Sequence, residues 1–171
     1  MSEEQAASAP TELGYPDLLR LLAGASSMRE RLSAGESLRV TTPFRYPGRG
    51  GYICFVLTPQ LGQDEAQSSL PVRISDGGDL LDRLQRQGMD LAVDEILSKT
   101  VFHALSEIER ASIAKGQVYI ESDLDKLAGD IWMFLQFVVE MMGLRHSKYK
   151  EALLRLSRNK DAPDPLGWDR R

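Results

Sequence analysis

With a single cysteine and two histidines, this 171-residue sequence has little of the usual apparatus of metal and nucleophilic chemistry. One thiol cannot close a disulfide within the chain, and with only His103 and His146 beside it no zinc site of ordinary ligand spacing can be written. Cys54 lies inside the apolar run Tyr52 to Leu57, where a small buried hydrophobe is the natural reading. Long hydrophobic runs are missing as well. The most apolar stretch, Asp123 to Met142, is interrupted by Asp130, Gln136 and Glu140 and falls short of the roughly 20 apolar residues a membrane span needs, so no membrane partner is expected. The first ten residues have neither the basic start nor the apolar core of a secretory signal, which points to the cytoplasm. Also absent are a Gly-x-Ser-x-Gly elbow and a phosphate loop; Tyr46 to Gly51 is Gly-rich but lacks the Lys-Ser/Thr ending and precedes a strand.

What is present builds a core. At 42% hydrophobic residues the chain suits one domain that needs no metal or disulfide to hold it. Its charge is divided: residues 145–171 carry net +4, so the total of −4 leaves −8 on the first 144. An acidic body argues against a broad nucleic-acid footprint, and the basic end reads as solvation.

The hydrophobic period changes several times along the chain. Residues 1–13 read as a disordered acidic tail and 14–37 as a helical segment, opened by Pro16 and Asp17 and packed by Leu18, Leu19, Leu21 and Leu22. From Leu38 the period is two: Leu38, Val40, Thr42 and Phe44 alternate with Arg39, Thr41, Pro43 and Arg45, a strand with one wet face. Tyr52 to Thr58 reads as a central strand and Leu70 to Ile74 as a third. Ser75-Asp76-Gly77-Gly78-Asp79 then turns strand into helix, the glycines allowing positive φ and Asp79 placed to accept from first-turn N–H groups. Leu80, Leu81 and Leu84 form that helix's apolar side, and Gly88 ends it. A helix over about Val93 to Ser112 follows, then a strand over Val118 to Glu121, with Ser122 and Asp123 as caps. The helix over Asp123 to Met142 has a wide apolar side, which fits either the central helix of the core or one partly buried by another subunit. The expected organisation is an α+β core over residues 38–144, with a small, mainly antiparallel sheet of about four strands packed against helices. A basic helix over 145–158 and a flexible tail over 159–171 complete it.

One succession has a familiar order: Thr42-Pro43-Phe44, an apolar strand, Ile74-Ser75-Asp76-Gly77-Gly78, Leu81, Leu84, Gly88, Asp90 and Leu91, then Gly116-Gln117-Val118-Tyr119-Ile120 before an apolar helix. It resembles a family of short bacterial and prophage-associated proteins described only as a domain of unknown function, over about Leu38 to Leu144. The resemblance implies a mobile-element or defence context. It carries no catalytic residues to transfer.

The functional reading follows. Asp76, Asp79, Asp82 and Asp90, with Asp94 and Glu95, form the one acidic cluster where metal-binding carboxylates would be sought. Yet a restriction-type nuclease would also place an acid two residues before a lysine, and no lysine here has one. The expectation is therefore a non-enzymatic interaction module of a phage or mobile element, with no cofactor, no metal and no catalytic residue. It would bind or inhibit a host or defence protein through Asp76, Asp79, Asp82, Asp90, Trp132, Phe137 and Trp168. The alternatives are a metal-dependent nuclease or hydrolase using Asp76 and Asp79, and a homodimeric regulatory scaffold joined through the 123–142 helix. Arg45, Arg49 and Arg73, with Tyr46 and Tyr52 for stacking, are the only candidate nucleic-acid contacts, and nucleic acid is not the expected partner.

Overall fold

The computed structural model describes residues 9–46, 50–60 and 70–143. In chain order they form β1 (Thr11–Leu13), α1 (Tyr15–Leu22), α2 (Ser26–Ser33), β2 (Leu38–Arg45), β3 (Tyr52–Pro59), β4 (Pro71–Ser75), α3 (Asp79–Arg86), α4 (Glu95–Ser106), β5 (Ala111–Ala114), β6 (Gln117–Asp123) and α5 (Leu127–Gly143). The fold class is α+β, as its pattern of periods suggested. The sheet has six strands rather than about four, in the order β1-β2-β3-β4-β6-β5, with β1 parallel to β2 and every other pair antiparallel.

The two additional strands are the edges. Thr11–Leu13, expected to be disordered, pairs along β2 and is tied down by Thr11 N–H to the Ser37 carbonyl and Thr11 Oγ1 to Glu36 Oε1, 2.6 Å. The helix expected to reach Ser112 stops at Ser106, because Arg110 takes a φ of 61° and Ala111–Ala114 turns back along β6. Lys115 and Gly116, both at positive φ, close that two-residue hairpin in the sense that matches strand twist. Ser122 and Asp123 are the end of β6 and not caps, so α5 begins at Leu127.

Strand register explains the layering. One transverse row, Leu38, Leu57, Ile74 and Ile120, crosses four strands with every side chain buried. The next row, Arg39, Val56, Ser75 and Tyr119, crosses the same strands on the opposite face, since successive side chains alternate. Helices cover the first face, where Phe55 meets Phe134 of α5 edge to face at 6.3 Å. β3 is internal to the sheet, and its Cys54, Val56 and Thr58 are only half-buried on the second face. The alternation fails at one place: the register of β2 shifts between Thr41 and Arg45, around Pro43, and Phe44 ends up exposed.

α5 has its wide apolar side because α1, α3, α4, β4 and β6 all pack against it. Phe137 and Met141 are buried within that arc, so Phe137 offers nothing to a partner. Trp132, Met133 and Val139 stay outside. No helix of the described residues is long and apolar enough to cross a membrane. The expected helix over 145–158, the tail over 159–171, and with them Trp168, lie outside the described residues, as does Arg49.

Candidate functional site

The junction after β4 is organised by Asp76. Its backbone N–H continues the sheet by donating to the Val118 carbonyl, while its side chain is 6% exposed. Oδ1 accepts from the N–H groups of Gly78 (3.0 Å) and Val118 (3.1 Å), and Oδ2 from Leu80 (2.7 Å). One carboxylate thus joins β4, β6 and the first turn of α3. The capping expected of Asp79 is done by Asp76 from further back, because Gly77 and Gly78 at φ 66° and 92° curl the chain over its oxygens. Gly78 is obligatory in a second way: a Cβ there would stand 3.1 Å from the Gly116 carbonyl oxygen. Burial pushes the Asp76 carboxyl above the ordinary aspartate range, against the three N–H groups that favour its charge.

Asp79 turns outward instead. Its Oδ2 accepts from Arg83 Nε at 2.9 Å, and the Arg83 guanidinium lies 4.0 Å from the centre of the Tyr46 ring. Tyr46 is 2% exposed, and its hydroxyl makes no hydrogen bond of acceptable geometry among the described residues. Burial first, and then the charges of Asp79 and Asp76, push that phenol above its usual pKa. Asp82 pairs with Arg86 at 2.9 Å one turn on, and Asp90 accepts from the Ala92 N–H at 2.9 Å within the next turn. Asp94 caps α4 through the Leu97 N–H. With Glu95 paired to Lys99 at 2.9 Å, the acidic cluster of the sequence is dispersed into one buried joint, three helix-face ion pairs and two local caps. No group of three His, Cys, Asp or Glu is placed to hold a metal among the described residues.

A groove of about 430 Å³ runs between this junction and the open face of the sheet, with Arg39, Tyr52, Cys54 and Val56 on one wall and Asp79, Asp82 and Arg83 on the other. It is not an anion site. The first free N–H groups of α3 are occupied by Asp76, and three carboxylates stand where a phosphate would lie. Nothing local in the sequence marks Arg39 as a groove residue, whereas Arg83 does carry a local mark. The spacing Asp79-x-x-x-Arg83 was the available signal, since residues four apart meet on a helix.

Of the candidate nucleic-acid contacts, the two described members, Arg45 and Arg73, are not brought together. Arg45 lies opposite Tyr52 and Arg73 opposite Thr58, six residues along β3, a separation of about 20 Å. Arg45 stacks on Tyr52 at 4.4 Å; Arg73 is held by Glu121 at 2.6 Å and lies over Tyr119. Tyr46, the other proposed stacking partner, is buried under Arg83. Comparison with protein-family models, with curated proteins and with solved structures gives no match.

Proposed function

We infer that the chain is a non-enzymatic protein-interaction module that receives a partner's side chains in the groove between the open face of β2–β3 and α3. The observation that carries this reading is the division of labour among the carboxylates: Asp76 is withdrawn into the fold with both oxygens occupied, whereas Asp79 and Asp82 line a groove of side-chain size. Half-buried Val56 and Cys54 give that groove a soft floor, and exposed Tyr52 stands at its rim. Such a surface suits a basic, partly apolar segment, whose cationic ends compete with Arg83 and Arg86 for Asp79 and Asp82 while its aliphatic stems lie on the strand. The resemblance to bacterial and prophage-associated proteins is the ground for seeking the partner among host or defence proteins.

The test is capture from host lysate by the wild-type chain and by an Asp79→Lys/Asp82→Lys double variant, with circular dichroism to confirm that both are folded. A stoichiometric partner retained by the first and lost by the second is the expected result. Absence of any stoichiometric partner, or equal capture by both, would overturn the reading.

A further inference from the structure

The floor of the groove is apolar and half-bare. β3 is internal to the sheet, and an internal strand with apolar residues on both faces is normally covered on both, yet Cys54 and Val56 are only half-buried on the open side and Tyr52 at the rim is 45% exposed. Above that floor Asp79 and Asp82 are partly exposed, and each is held by an arginine of its own helix in a pair of the kind that another cation readily displaces. Arg39, on the other wall, is drawn to Glu12 at 3.7 Å.

The sequence carries a segment of matching chemistry outside the described residues. Positions 148–158 read Lys-Tyr-Lys-Glu-Ala-Leu-Leu-Arg-Leu-Ser-Arg, four cations and one acid about three leucines. We propose that this segment is the groove's resting occupant, lying along β3 of its own chain with cations on Asp79 and Asp82 and leucines over Cys54 and Val56. This rests on the groove's receiving a basic, partly apolar segment, and it adds regulation: a partner enters by displacing the chain's own segment.

Charge and reach both favour an occupant from the same chain. Residues 145–171 carry net +4 and the first 144 carry −8, so the two parts attract. The segment starts beyond Gly143, at the end of a helix about 25 Å long that packs against α3, the helix bearing Asp79 and Asp82. The thirteen residues from Gly143 to Leu156 span up to about 45 Å when extended, so they reach the groove wherever along α5 the contact with α3 lies. A short tether gives an effective concentration in about the millimolar range, which puts the chain's own segment ahead of a second copy's at micromolar protein.

The probe is a fluorescein-labelled peptide of sequence 148–158, titrated into full-length chains at physiological ionic strength, with circular dichroism to confirm that each is folded. Leu153→Ser/Leu154→Ser/Leu156→Ser leaves the net charge unchanged but strips the chain's own segment of its apolar contacts, so this variant should bind the peptide about tenfold more tightly than wild type. In that background Asp79→Asn/Asp82→Asn should largely abolish binding, whereas Glu107→Gln/Glu109→Gln, the same change of charge outside the groove, should leave it. Equal affinity of wild type and the leucine variant overturns the proposal. So does a leucine variant that fails to bind the peptide, or an equal loss from the two acid pairs. Lysate capture separates this from the reading it rests on: a host partner captured beside a negative titration removes only the self-occupancy, and a positive titration with no partner captured removes only the host partner.

Discussion

Asp76 and Glu36 each tie three stretches of the chain together, yet they do so with opposite donors. Asp76 is enclosed and accepts only neutral backbone N–H groups, from Gly78, Leu80 and Val118. Glu36 sits at the rim. It is forked by Arg31, Nε at 2.7 Å and a terminal nitrogen at 2.6 Å, and it takes the Thr11 hydroxyl at 2.6 Å, which fastens β1 beside α2 and β2. Its pKa is lowered to about 2, chiefly by the Arg31 hydrogen bonds and then by Thr11. Burial drives Asp76 the other way. A buried carboxylate with a raised pKa at a strand–helix junction, a common mark of catalysis, is at Asp76 the signature of a structural joint.

The largest effect should come from removing the joint. Asp76→Ala leaves three buried N–H donors without their acceptor and should destabilise the fold by about 3 kcal/mol, read from urea unfolding. Gly78→Ala attacks the same joint through the backbone, forcing a Cβ into left-handed φ beside Gly116 O, for about 1–2 kcal/mol.

Glu36→Gln should have a smaller effect, and its pH dependence separates the two carboxylates. A carboxylate whose folded pKa is lowered stabilises the fold above its unfolded value, and that contribution is lost as pH falls. The gap between wild type and Glu36→Gln should therefore be full above about pH 4.5 and close as pH drops towards about 2. For Asp76 the sign reverses. Its protonated form is favoured in the fold, so the ionisation contribution is fully present below its unfolded pKa and is lost as pH rises through the folded one. Thermal unfolding across pH 2 to 7 should accordingly show Asp76→Asn losing ground to wild type on acidification through that region, while Glu36→Gln gains.

Much of the architecture was legible because alternation and helical period are written in side chains that the core then buries. β2, β3, β4 and α3 all lie where their periods placed them, and the Ser75–Asp79 turn is where two glycines and two carboxylates marked it. β1 and β5 were missed for a physical reason: Thr-Glu-Leu and Ala-Ser-Ile-Ala are too short to express a period, and both are strands because a neighbour pairs with them. The roles of the acids were less legible still. Which of Asp76 and Asp79 faces inward depends on two positive-φ glycines that rotate the chain between them, and no residue pattern encodes that rotation. Likewise Phe137 and Trp132 look alike in a wide apolar helix, and only the packing of α1, α3 and α4 around α5 separates them.

The most direct test is urea unfolding at pH 7 of Asp76→Asn beside Asp79→Asn. An amide at 76 can keep an oxygen for two of the donors but turns its NH₂ against the third, whereas at 79 only a solvent-screened pair four residues apart is weakened. The predicted result is a loss of about 1–3 kcal/mol at position 76 and less than about 0.5 kcal/mol at position 79. Equal losses, or a larger one at Asp79, would contradict the assignment of Asp76 as the joint and Asp79 as surface.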